Sequence, residues 1–360
     1  MEVVLGLNHG EINSSAALYH KGKIIAAAPE ERFNRIKRTK IFPKQSVQFC
    51  LDFAGIKLKD VDYIVQAWYP GAGWIKYNSL LSENRIKRED YFYSVPDNLF
   101  NLTNRKNQDW ILMSLENDDL PPIYYVKHHR MHSANAFYLS PFEEAAILTL
   151  DGVGEWATTT VAKGEGRNLE ILKEIHFPHS IGMLYSAFTY YTGFKVNSAE
   201  YKVMGLAPYG EPKFKNVILD KLIDLKDDGT FRLNMEYFDY ATGLKMINNK
   251  FSELFGQPVR NFNKDSLTQF HMDIASSIQS VTEEIVLRLA KSIAKEYDCK
   301  NLCMSGGVAL NCVANGKILK EKIFESVWIQ PAAGDAGGAL GAALALWYKE
   351  LKNERSLPLK

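Results

Sequence analysis

Cysteine is scarce in this chain. Its 360 residues include only Cys50, Cys299, Cys303 and Cys312, with no C-x-x-C pair. That excludes a disulfide scaffold and leaves reduced thiols in a cytoplasmic chain as the expectation. Excess charge is lacking too: 43 Lys and Arg face 42 Asp and Glu, a formal net charge of +1. A polybasic surface for nucleic acid or a membrane is therefore not expected. No basic segment precedes a long apolar run at the start, so "MEVVLGL" reads as a strand and not a signal peptide. The one long apolar stretch, Ala332–Tyr348, is short for a membrane span and carries Asp335. It reads as a helix packed inside the protein, with Gly337 and Gly341 allowing close approach. No Pro- or Gly-rich linker separates independent domains, although the length suffices for two lobes and a large core.

What is there is a repeat. Val3–Phe33 reads strand, polar turn, strand, Gly22 turn, strand. Ala145–Pro178 repeats that order, with Asp151, Gly152 and Gly154 in its first turn. Two such meanders predict two similar α/β lobes with a cleft between them. The 3.6-residue spacing predicts helices over Lys44–Ala54 and over Ser266–Lys295, the second capped by Asp265. Residues 68–122 mix aromatics and charges with weak periodicity and read as an inserted segment, either a substrate wall or a covering loop.

Three strand-to-helix turns could hold a nucleotide. After "LTL", Asp151 could hold a magnesium ion or act as a catalytic carboxylate, while Gly152 and Gly154 bring backbone N–H groups to an anion. After "NLCM", Ser305, Gly306 and Gly307 open a helix whose N-terminus suits phosphate, and Asn311 could reach a base or ribose. Asp335 sits between glycines at the third. Each could equally be a ligand-free turn or a cap. Beside them, Glu200 could bind ribose hydroxyls and Lys202 could neutralise phosphate, or the two could form a surface ion pair.

Histidine supplies the remaining signal. His128, His129 and His132 fall within five residues of a chain that has 8. On a helix, His128 and His132 share a face at i and i+4, a spacing that suits two imidazoles on one metal and also arises by chance. His129 would point away, and Asp335 is a candidate third ligand.

Taken together, "VLGLN", "SSAAL", "GKIIAAAPEERFNRIK", "HHRMHSANAFYLSPF", "SIGMLYSAFTYYTGFK", "EYKVMGLAPYG", "MSGGVALNCVANGK" and "GDAGGALGAAL" closely resemble the O-carbamoyltransferases. That family includes the nodulation-factor, cephamycin and tobramycin enzymes. Its catalytic domain is similar to the protein that forms threonylcarbamoyladenosine on tRNA. The resemblance implies two RNase-H-like lobes of the actin, sugar-kinase and chaperone-ATPase superfamily. The expected boundaries are 1–144 with the helix at about 337–360, and 145–336. It also implies iron or zinc on His128, His132 and Asp335, and an adenine nucleotide on the Ser305–Asn311 turn.

The implied chemistry is carbamoyl transfer from carbamoyl-adenylate to a hydroxyl of a sugar or natural product. Two departures qualify it. Ile12 and Asn13 stand where the family has a His-Asp pair, so His9 or Asn13 is the expected substitute at the catalytic position. After Leu344 only a closing helix and tail are expected where the family has a YrdC-like domain, so the expectation is a separate YrdC-like subunit, a ready-made activated donor, or a fragment of a longer protein. A small-molecule kinase of the same superfamily and a non-catalytic nucleotide-binding subunit are the alternatives.

Overall fold

The computed structural model of the chain describes residues 2–10, 12–68, 121 and 123–357. The segment read as an insertion lies almost wholly outside the described residues. The first meander forms as β1 (Val3–Asn8), β2 (Ser15–His20) and β3 (Lys23–Pro29). Parallel strands β4 (Tyr63–Gln66) and β5 (Ile123–Tyr125) extend it, giving the order β3-β2-β1-β4-β5. Helices α1 (Glu31–Asn34) and α2 (Lys44–Ala54) lie between β3 and β4 in the chain. Val47, Cys50 and Leu51 of α2 bury against Leu5, Leu7 and Leu18, the helical period meeting the strand period across one core.

After α3 (His128–Phe137) the plan repeats. The second meander is β6 (Glu144–Gly154), β7 (Ala157–Glu165) and β8 (Asn168–His176). Helices α4 (Ile181–Tyr191) and α5 (Glu200–Leu206) follow, then a hairpin of β9 (Ile223–Leu225) and β10 (Phe231–Leu233). Next come α6 (Asn249–Phe255) and the long α7 (Gln269–Tyr297). Parallel strands β11 (Asn301–Ser305) and β12 (Ser326–Ile329) flank α8 (Cys312–Lys320) and complete the order β8-β7-β6-β11-β12. Both sheets thus share one topology, three antiparallel strands followed by two parallel ones, which is the RNase-H-like lobe of the superfamily.

The start of α7 corrects one expectation. Thr268, not Asp265, is the N-cap, with His271 closing a capping box. Asp265 instead accepts the Asn261 backbone N–H at 2.8 Å, so its carboxylate is committed one loop earlier.

Helix α9 (Gly338–Ala345) accounts for the apolar run near the end of the sequence. It packs on β1 and β2 of the first sheet and on α3, while α3 packs on β6 and β11 of the second. A Cβ at Gly6 would fall on the Ala339 carbonyl oxygen at 1.9 Å, and one at Gly341 would lie 2.4 Å from that of Met131. Glycine is what lets strand, helix and helix touch by backbone here. Among the described residues, no helix is long and apolar enough to cross a membrane.

Candidate functional site

The layer of α3 and α9 brings the strand ends of the second sheet to the histidine helix. His128 and His132 lie one turn apart on α3, with Nε2 atoms 3.0 Å from each other. Asp151, near the end of β6, sends Oδ2 to His128 Nε2 at 2.9 Å and to His132 Nε2 at 3.6 Å. Asp335, in the turn before α9, sends Oδ1 to the same nitrogens at 3.5 and 3.3 Å. All four side chains are buried.

Donor spacings of this size fit a cation. A tetrahedral ion with ligands at 2.0–2.1 Å has ligand–ligand edges of about 3.3 Å. Asp335 Oδ1 is buried and accepts no hydrogen bond, an acceptor aimed into the cluster. His132 is set in one tautomer: the Ser305 hydroxyl donates to the Ala333 carbonyl at 3.0 Å and so accepts from Nδ1 at 3.3 Å. That leaves the Nε2 lone pair facing the two carboxylates.

The electrostatics agree. Burial works to lower the His128 pKa, but the Asp151 hydrogen bond and the charges of Asp335 and Asp151 outweigh it and raise the value to about 9. Burial works to raise the Asp151 pKa, and the two imidazoles hold it well below the usual range. Two buried carboxylates beside two imidazoles form a centre that takes up positive charge, as protons or as a metal. His129 has a different task. Its Nε2 donates to the Ala157 carbonyl at 2.9 Å, its Nδ1 meets the Thr149 hydroxyl at 2.6 Å, and burial lowers its pKa to about 3. It ties α3 to β6 and β7 as a neutral ring.

The glycine turns gather around this cluster to different degrees. Gly307 donates its N–H to Asp151 Oδ1 at 2.9 Å, so one carboxylate spans the cluster and the turn after β11. Gly154 presses against the His128 ring, where a Cβ would come within 2.2 Å, and so positions that imidazole. The Gly152 carbonyl accepts the Ser180 hydroxyl at 2.6 Å, tying the β6 end to the start of α4. Asn311 caps α8 through Ala314 N–H and pairs amide to amide with Gln279. Glu200 accepts from the Ser186 hydroxyl and the Asn197 N–H, while Lys202 lines a separate cavity between the lobes.

In the β1–β2 turn, Asn8 donates to the backbone carbonyls of Ile12, Asn13 and Asp335 at 3.3, 3.2 and 3.0 Å. It clamps the turn to the cluster, a role that a lone asparagine at a strand end does not announce in sequence. The part-buried ring of His9 packs edge-on against Phe42, and burial lowers its pKa to about 4. Asp151 was legible only as a magnesium or catalytic carboxylate, whereas its geometry makes it the fourth member of the histidine cluster.

The Ser305–His132 contact makes a first prediction. Ser305→Ala should lower metal affinity about 10–100-fold while leaving the fold intact. Competition against a chelator checks the affinity, and a thermal melt checks the fold. Unchanged affinity would show that the hydroxyl does not set the imidazole.

Two meander-plus-parallel lobes beside a buried cluster of two histidines and two aspartates define a protein with the two-lobed actin-like fold. Component A of the (R)-2-hydroxyglutaryl-CoA dehydratase of Acidaminococcus fermentans has a similar fold, with a TM-score of 0.51 at 16% identity, covering 98% of this chain and 100% of that one. A family model described as "Carbamoyltransferase N-terminus" matches residues 4–344. The chain belongs to the carbamoyltransferase family, in the N-terminal region that this description covers. It is 52% identical to an uncharacterized protein of Synechocystis sp., over 99% of this chain and 58% of that protein. It is 35% identical to nodulation protein NolNO of Sinorhizobium fredii, over 93% of this chain and 46% of that protein. The chain spans about half the length of these relatives.

Proposed function

We propose that the chain carries out O-carbamoyl transfer, moving a carbamoyl group from carbamoyl-adenylate to a hydroxyl of a sugar or other natural product. The observation that carries this reading is the two-imidazole, two-carboxylate centre joined through Asp151 to the Gly307 turn. Membership of the carbamoyltransferase family supports it.

His128, His132, Asp151 and Asp335 would hold iron or zinc, because imidazole pairs suit these ions better than magnesium. When bound, the ion supplies Lewis-acid polarisation of the mixed anhydride. The adenylate phosphate would lie beside the turn of Ser305, Gly306 and Gly307, where the Gly306 and Gly307 N–H groups are already given to the Ala333 carbonyl and to Asp151, so the turn's part is to hold the cluster against the phosphate. The acceptor oxygen attacks the carbamoyl carbon, the bond from that carbon to the phosphate oxygen breaks, and AMP leaves with its electron pair.

The proton needs an acceptor. Ile12 has none to offer, and His9, with its pKa lowered to about 4, is a weak base. The departing phosphate is the better one, since a phosphate monoester has a second pKa of about 6. Hydroxyl proton and leaving group therefore meet on AMP, and the chain's part is to align them.

The test supplies a metal-loaded sample with carbamoyl-adenylate, or with carbamoyl phosphate, ATP and a YrdC-like partner, and a panel of hydroxyl acceptors. Mass spectrometry should find carbamoylated acceptor and one AMP for each transfer. His9→Gln should retain the activity to within about tenfold, because general-base catalysis contributes 10²–10⁴-fold where it operates. No product across the panel would overturn the transfer reading. A His9→Gln loss of about a thousandfold would return the proton to His9.

A further inference from the structure

The cavity between the lobes has a charge that the transfer reading leaves unused. Its volume is about 750 Å³, ample for a sugar-sized ligand. One wall comes from the first lobe and includes Asn13, Lys37 and Arg38. The opposite wall comes from the segment after α4 and the first turn of α5, and includes Lys195 and Lys202. Phe194 and Phe262 add aromatic faces.

Four cations therefore meet one lining carboxylate, Glu31. That carboxylate is already engaged, its Oε2 accepting the Arg38 backbone N–H at 2.9 Å. Some basic side chains elsewhere are paired, as in Lys213 with Asp273, Lys215 with Glu284 and Lys250 with Glu236, and others stand singly on the surface; here four converge on one cavity. No side chain among the described residues forms an ion pair with Lys37, Arg38, Lys195 or Lys202. Lys202 and Arg260 both lie over the Phe194 ring, at 5.8 and 5.6 Å, which keeps that ring bordered by positive charge.

The cavity also adjoins the cluster. Asn13 is held by the Asn8 clamp that reaches Asp335; burial lowers the Arg38 pKa, and the charges of Glu200, Asp335 and Glu31 only partly oppose it. Like charges gathered on two facing walls repel one another unless an anion lies between them.

We propose that this cavity seats the hydroxyl-bearing acceptor, and that the acceptor carries an anionic group, a phosphate or carboxylate on a sugar-sized body. The inference rests on the transfer reading for the word acceptor, while the anion site stands on the cavity alone. Lysines on facing walls grip the anionic group, the phenylalanine faces receive the body, and the free hydroxyl points toward the cluster. Lys202 is thereby assigned to the acceptor and not to the adenylate phosphate.

The experiment uses the full metal-loaded chain. Calorimetric titrations with inorganic phosphate, glucose 6-phosphate, glucuronate and glucose are run with and without saturating AMP. Glucose 6-phosphate and glucuronate should bind with AMP present, about tenfold or more tighter than glucose, since charge-assisted contacts are the stronger ones. Lys195→Glu combined with Lys202→Glu should erase that preference, and Lys250→Glu, outside the cavity, should keep it.

Equal binding of glucose and its phosphate overturns the inference, as does failure of every anion to bind. So does mutual exclusion of AMP and glucose 6-phosphate with parallel loss of both in the double variant, which would give the cations to the donor. Anion binding without any carbamoyl transfer would sink the transfer reading and leave the anion site. Carbamoylation of neutral sugars that bind as well as their phosphates would do the reverse.

Discussion

His132→Gln is expected to yield a folded protein that no longer retains metal and, on the proposed transfer reading, to lose carbamoyl transfer by more than about a hundredfold. The side chain is fully buried and its Nε2 is one of four donors in the cluster. The amide of glutamine reaches a similar place but is a poor ligand for iron or zinc compared with imidazole. Removing one of four protein ligands costs more than the 10–100-fold typical of a residue that merely supports a ligand. Elemental analysis of purified protein, with transfer assayed on the same sample, reads both effects.

The neighbouring histidine gives the contrast that a general folding defect would not. His129→Leu leaves the Ala157 carbonyl and the Thr149 hydroxyl without their ring partners. Thr149 keeps the Thr160 hydroxyl at 2.7 Å, so the loss falls mainly on the Ala157 carbonyl at about 1–3 kcal/mol, and stability falls while metal content per folded molecule is kept. If His132→Gln binds metal with wild-type stoichiometry, or His129→Leu empties the site in folded protein, the ligand set is wrong.

Acidity adds a third readout to the same comparison. In the metal-free protein His128 is protonated at pH 7, since its partners raise its pKa to about 9. A metal must displace that proton, so apparent affinity should weaken as pH falls below about 9, by about tenfold per unit from His128 alone and more steeply once His132, whose pKa is also raised, holds a proton.

Much of this was open to reading because it follows local periods. The two meanders declare themselves by alternation and glycine turns, and α2 by its Val47, Cys50 and Leu51 stripe. The i, i+4 histidines needed only the helix that their spacing implied. What stayed hidden depends on register between distant strands. Asp151 is 23 residues from His128 and Ser305 is 173 from His132, and only the pairing of β6 with β11 brings them to one point. The cap of α7 was missed for a local reason. Asp265, Ser266 and Thr268 are all good capping types, and the choice was made by the Asn261 N–H, which takes Asp265. The cationic cavity was hidden for a global reason, because its walls come from two lobes whose sequences are individually unremarkable in charge.

Gly306→Ala is expected to be strongly damaging for a single methyl. Gly306 has φ 93° and ψ 163°, a region that residues with a side chain rarely enter. A Cβ there would sit 2.2 Å from the Leu150 carbonyl oxygen, a backbone atom of the neighbouring strand that cannot swing aside. The Gly306 N–H also donates to the Ala333 carbonyl at 2.8 Å. Relief must therefore come from moving the end of β11, which carries Ser305 and Gly307 with it. That would break the Ser305 contact to His132 and the Gly307 N–H bond to Asp151 together. A loss of about 3 kcal/mol or more in unfolding free energy is expected, with metal content falling in parallel. Gly316→Ala is the control. It lies inside α8 with nothing near its Cβ direction, and alanine there should gain up to about 1 kcal/mol through helix propensity. Urea unfolding of both variants, with metal content measured on each, separates the cases. A Gly306→Ala protein as stable and as metal-rich as the parent would mean that the turn after β11 does not hold the cluster in register.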